Sequence, residues 1–250
     1  MAKEPSAPNL PHSLAKMKAA LDAFRPPSGP FDPHGIWDHR YAVWIVLPES
    51  NFGKAQPMGA LQIRRQPAGE NAATLDVILK TTQGVRTSYR AEARIACAAD
   101  RLSTPTSWEL KSVILDFAGK PVPGADAQET GRVEQGIIHR KGKVERTLPA
   151  PKAFTSNWSL FDAVQRFPGN EIEPMNFDMF EELGLFKPNQ RLSFKQSIEL
   201  ELGGARVRLH GFQQLGEGIL PYHYWLDDQR RLLIAVGGLR AFVFDSSAQA

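Results

Sequence analysis

The segment SIELELGGARVRLH, from Ser197 to His210, places a double glycine between two alternating runs. A two-residue hairpin needs positive φ at its central positions, and glycine adopts it without steric penalty. A turn at Gly203-Gly204 fixes the register: Glu201 faces Arg206, Leu200 faces Val207, Glu199 faces Arg208 and Ile198 faces Leu209. One face is then charged and complementary, the other apolar. Opposite-charge cross-strand pairs contribute only about 0.2–1 kcal/mol each. Their use here is diagnostic, because a slip of one residue would turn the apolar set into water.

The same reasoning at Gly237-Gly238 pairs Val236 with Leu239, Ile234 with Ala241 and Leu232 with Val243. The alternate set, Leu233, Ala235, Phe242 and Phe244, is also apolar and is interrupted only by Arg240. A hairpin apolar on both faces belongs in the middle of a sheet, covered from both sides. Two helices are the candidates for that cover. Residues 155–167, TSNWSLFDAVQRF, start with the capping types Ser156 and Asn157, stop at Pro168-Gly169, and are apolar around most of the circumference. Leu14, Met17, Leu21 and Phe24 form one helical stripe from Ser13 that Pro26-Pro27 ends, and it is expected to dock on the protein's own sheet.

Further strands are expected over Ile36–Leu47, which is apolar on both faces towards its end, around Leu75–Lys80 and Ser88–Cys97, and over Trp108–Phe117. Arg132–Leu148 folds back around Lys141-Gly142. At 250 residues a β-rich chain needs no second domain. The expected fold is mainly β with minor α: one highly curved antiparallel meander sheet, a half-barrel of about nine or ten strands enclosing one or two short helices. Residues 1–11 are expected to be a flexible leader and residues 12–250 one domain.

Two strings, TSNWSLFDAVQRFP from Thr155 and LPYHYWLDDQRRLL from Leu220, resemble elements of uncharacterised bacterial, mostly exported proteins. The meandering sheet of those proteins is similar to the half-barrel of the lipoprotein carriers. The resemblance spans residues 85–245 and includes no catalytic motif. It implies an open sheet whose apolar concave face holds acyl chains or a partner's hydrophobic segment. The opening MAKEPSAPNLP lacks the apolar stretch of a secretory signal, which points either to the cytoplasm or to a processed chain. For a processed chain the resemblance leans towards the cell envelope.

Thirty basic against 27 acidic residues leave a net charge of +3, which does not suggest a phosphate-binding stripe or a nucleic-acid partner. The single cysteine, Cys97, reads as a small buried apolar residue and supports neither a disulfide framework nor a cysteine zinc cage. Apolar runs fall far short of the roughly 20 residues a membrane helix requires. Nucleophile-elbow, P-loop, zincin and dinucleotide motifs are absent.

His34, Asp38 and His39 would converge on a metal only if their strand bends, since Asp38 and His39 point to opposite faces. His210 and His223 would face each other if the LGEGIL loop centres between Gly216 and Glu217, and they are expected to be solvated there. Asp227-Asp228 reads as a turn, and Asp178 with Glu181-Glu182 as an exposed acidic edge. No catalytic residue, metal or cofactor is assigned. The residues expected to line a ligand site are Tyr222, Tyr224, Leu226, Val207 and Leu209 on the sheet, with Trp158, Phe161 and Phe167 on the helix. The expected function is therefore non-catalytic binding of a lipid, another apolar small molecule or a protein partner. A purely structural protein with a permanently filled trough ranks second, and a metal enzyme using His34, Asp38 and His39 third.

Overall fold

In the computed structural model the described residues are 11–15, 17–46, 56–69, 72–83, 87–170 and 173–245. The expected leader therefore lies, apart from Pro11, outside the described residues, as does Leu47. Among the described residues fifteen strands form one sheet that is two meanders laid side by side. The first runs through β1 (Trp37–Ile45), β2 (Gln56–Pro67), β3 (Ala73–Gln83), β4 (Thr87–Cys97), β5 (Pro105–Asp116), β6 (Pro121–Glu134), β7 (Ile137–Lys141) and β8 (Glu145–Pro149). The second starts with β9 (Phe154–Ser156), which pairs in parallel with β10 (Met175–Glu181) across the helix between them. It continues through β11 (Leu185–Leu202), β12 (Ala205–Leu215), β13 (Tyr222–Leu226), β14 (Leu232–Gly237) and β15 (Arg240–Phe244). The antiparallel β1–β15 pair is the seam between them. The architecture is the expected one, mainly β with a single curved sheet, but with more strands.

The hairpin at Gly203-Gly204 has the expected register, with Glu201 opposite Arg206 and Glu199 opposite Arg208. Both glycines have positive φ, 57° and 82°. The ion pair that forms is the diagonal one, Glu199 with Arg206. The last hairpin differs. Val236 faces Ala241 and Gly237 faces Arg240, so the turn is at Gly238-Leu239. Gly237 stays in the strand because a Cβ there would lie 1.8 Å from the Tyr222 ring. The face assignments survive, since this shift moves every partner by two positions.

Alternation then sorts the central strands. Tyr224, Ala235, Phe242 and Val43 are cross-strand neighbours on the inner, concave face; Trp225, Ile234, Val243 and Ala42 are neighbours on the outer face. Leu232 to Val236 are all buried, as expected for a hairpin covered on both sides. The inner cover is α3 (Ser159–Gln165) and the outer cover is α1 (His12–Ala15) with α2 (Lys18–Ala23); α1 and α3 both contact β14. The expected single amino-terminal helix is broken in two, yet Leu14, Met17, Leu21 and Phe24 are all buried. The close of α2 sits on the first hairpin: a Cβ on Gly203 would lie 2.1 Å from the Phe24 carbonyl oxygen. Among the described residues no helix is long and apolar enough to cross a membrane.

The two edges of the sheet, β8 and β9, are consecutive in sequence, so the chain itself spans the gap between them. Side chains draw the two sides together. The Thr104 hydroxyl donates to the Phe154 carbonyl (2.9 Å) and the Thr155 hydroxyl to the Leu102 carbonyl (2.6 Å). Arg140 donates to the Gly184 carbonyl (3.0 Å), and the Trp108 ring meets Phe180 edge-on at 5.3 Å. The result is an open, strongly curved, barrel-like sheet whose two sides meet through side chains.

Candidate ligand cavity

One end of the barrel is plugged. The sequence reading placed a helix over residues 155–167. Thr155 and Ser156 instead belong to strand β9, and the helix starts at Ser159, whose N–H donates to Ser156 Oγ (2.9 Å). Asn157 caps nothing; its Oδ1 accepts the Glu182 N–H (2.7 Å). Every residue of α3 is buried. Asp162 explains how a charged helix residue tolerates that: Arg65 Nε donates to one carboxylate oxygen (2.8 Å), while Arg166 Nε (2.9 Å) and the Ser103 hydroxyl (2.6 Å) donate to the other. Arg65 occupies the next inward position after Leu61 and Ile63 on β2 and is 1 % exposed. Gln165 Oε1 accepts the Leu232 N–H (2.9 Å), which ties the helix to the central seam. Cys97 lies beneath Ser159 (3.6 Å), and burial pushes its thiol up to about 12, so it is the inert residue expected.

The other end is open. There the inner face borders a half-open cavity of about 790 Å³. Phe161 of α3 and Trp158 just before it form its floor, and Leu61, Leu110, Met179, Tyr222, Tyr224 and Phe242 its walls. Phe161 is the centre of an aromatic cluster, edge-on to Tyr41 (5.3 Å), Phe242 (5.5 Å) and Tyr224 (6.3 Å). The Tyr224 hydroxyl donates to Gln214 Oε1 (2.9 Å), and burial holds its pKa far above that of an ordinary tyrosine, so it stays a neutral donor. Charge is confined to the mouth, where Lys187 pairs with Glu181 (2.7 Å) and Arg240 approaches Glu182 (3.7 Å). Glu182 is no exposed edge: it accepts from the Tyr89 hydroxyl (3.3 Å), and burial raises its pKa.

Of the residues expected to line a site, Tyr222, Tyr224, Trp158 and Phe161 border this cavity. Val207 and Leu209 do not. The β12–β13 register sets His210 against Leu226 and His223 against Gln213, an odd displacement from the expected pairing, and Tyr224 therefore shares its face with Phe212 rather than Leu209. Val207 and Leu209 are on the outer face. Leu226 is fully buried beyond Tyr224, and Phe167 packs on Phe212 (ring centroids 5.7 Å apart); neither borders the cavity. The acidic and basic groups at the mouth were missed, although the break in the apolar set at Arg240 was their visible sign.

The other constellations separate. His34 is exposed in the loop before β1, and Asp38 is bound outside by Arg64 and Gln62 (both 2.8 Å). His39 is buried between Trp37 and Phe244. The strand does not bend enough to join them, and among the described residues no group of three metal-ligating side chains converges. His210 is buried rather than solvated. The Ser197 hydroxyl and the Asn170 amide both lie 2.8 Å from its Nδ1, and Asp228 lies 2.8 Å from its Nε2. The Ser-His-Asp order resembles a nucleophile chain, but the Asn170 amide competes with Ser197 for the one lone pair that would take the serine proton. This network is a polar cap. Asp227 serves its turn, accepting from the Arg231 N–H (2.8 Å).

These features define a class: a β-barrel-like protein, open at one end, plugged at the other by a buried helix, with an aromatic-lined cavity between. A crystal structure of a β-barrel-like protein of the domain of unknown function DUF1849, from Brucella abortus, has the same fold. Its TM-score is 0.55 at 8% sequence identity, covering 85% of this chain and 95% of that one. No protein-family model matches the chain, and no curated protein does.

Proposed function

We propose that this protein binds an apolar small molecule, such as a lipid acyl chain, in the open-end cavity without transforming it. The observation that carries the reading is the 790 Å³ cavity on the inner face, which is floored by Trp158 and Phe161. Its size is within the roughly 300–1,000 Å³ typical of ligand pockets, and an aromatic lining with a few polar groups at the rim suits an apolar guest. The resemblance to lipoprotein-carrier half-barrels supports the same reading and leans towards an envelope setting. The second reading, a trough filled for good by its helix, is supported at the plugged end by the ion pairs on Asp162, but α3 reaches no further than the cavity floor.

Native mass spectrometry after gentle extraction is expected to show a copurified lipid, and a dansyl-labelled fatty acid is expected to bind with blue-shifted emission. Leu110→Trp, which fills the cavity from β5, is expected to weaken that binding by about tenfold or more. A wild-type protein that is ligand-free and takes up no labelled fatty acid would falsify the reading.

A further inference from the structure

The inner-face apolar set of the last hairpin is broken once, at Arg240. In the ladder Arg240 faces Gly237 on one side and Ile45 on the other, which sets it at the open end, where it lines the cavity. The mouth holds two cations, and they are not equivalent. Lys187 is engaged by Glu181 at 2.7 Å. Among the described residues Arg240 has a single charged partner, Glu182 at 3.7 Å, and no side-chain hydrogen bond to it. Its guanidinium fork is therefore loosely held, with N–H donors free to exchange water for a guest at the rim of an aromatic pit.

Resting on the binding reading above, we propose that the cavity selects long-chain amphiphiles with a carboxylate head, the head bound by Arg240 and the chain running down to Trp158 and Phe161. A guanidinium matches a carboxylate with two parallel N–H donors, a geometry that a single ammonium does not offer. A neutral chain filling the pit would strip water from Arg240 and leave it only the distant Glu182, and a half-desolvated, weakly paired cation is unfavourable. An acid supplies that partner. The nearby carboxylates do not defeat it. Glu181 is neutralised by Lys187, and Glu182 keeps its tyrosine donor when Arg240 turns to a ligand. Burial has already raised the pKa of Glu182, so its negative charge is more readily given up than an ordinary carboxylate's.

The test is displacement of the dansyl-labelled fatty acid by hexadecanoate, hexadecanol and hexadecylammonium, on the full chain at neutral pH. Hexadecanoate is expected to compete at about tenfold lower concentration than the alcohol, with the ammonium weakest. Arg240→Gln is expected to erase that preference, weakening hexadecanoate while the alcohol binds at least as well as before. Glu182→Gln, which removes the competitor for Arg240, is expected to strengthen hexadecanoate a few-fold. Equal competition by acid and alcohol, preference for the ammonium, or a weaker acid in Glu182→Gln would each overturn the headgroup assignment while the binding reading stands. If none of the three displaces the probe, or the probe itself does not bind, both fall.

Discussion

The two ends of this barrel use charge in opposite ways. At the plugged end the carboxylate of Asp162 is 1 % exposed and is shared by two arginines and a serine, so each donor has an acceptor and the helix is locked. At the open end the charged groups are partly exposed, and Arg240 keeps only a loose partner. A buried ion pair is rigid because losing either member strands the other. A rim pair is exchangeable because water can replace either member. The first arrangement builds structure, and the second leaves room for a guest.

The largest expected effect follows from breaking the locked end. Asp162→Asn leaves the Arg65 guanidinium buried without its carboxylate and is expected to lower unfolding stability by about 3–5 kcal/mol in denaturant titration. Arg240→Gln, at the rim, is expected to stay within about 0.5 kcal/mol of wild type. Similar losses in both would erase the contrast between the ends.

A smaller effect comes from His39, which is packed near the same plugged end against Trp37 and Phe244. Desolvation chiefly, with Arg231 adding to it, lowers its pKa from 6.5 to about 3. Below pH 6.5 the unfolded chain therefore takes up a proton that the folded one refuses. Stability is expected to fall as pH drops towards 3, by up to about 1.4 kcal/mol per pH unit from this group. His39→Phe is expected to remove that share of the slope, read as the difference between the two proteins at pH 7, 5 and 4. Identical slopes would mean that the histidine is protonated in the fold. The smallest effect belongs to the solvent-facing pair of the first hairpin. Glu199→Gln is expected to change stability by less than about 0.5 kcal/mol, and a larger loss would show that this pair, too, is structural.

How much of this was legible depended on what each glycine does. Gly203 and Gly204 both sit in the turn, and the register read from them is the one observed. Gly237 looked the same in sequence but makes room for the Tyr222 ring, and the turn moved past it. A turn glycine and a close-approach glycine differ only in their distant neighbours. The loop between β12 and β13 carried no such marker, and its odd displacement sent Val207 and Leu209 to the wrong face while leaving Tyr222 and Tyr224 facing inward. The aromatic half of the candidate site could thus be read from alternation. The Arg65–Asp162 pair could not, because nothing local connects a β2 arginine to a helix far along the chain. Nor did the sequence show that β9 takes the first residues of the supposed helix, since a three-residue strand leaves too short a pattern.

The seam between β1 and β15 has a consequence for biosynthesis. Strand β1 leaves the ribosome long before β15, one of its two hydrogen-bonding neighbours. Until then the nascent chain carries a bare, sticky edge rich in Tyr41, Val43 and Trp44, the kind of surface that invites aggregation or a chaperone's grip. Slow, late zippering along that line is therefore the step at which this protein's yield would be won or lost.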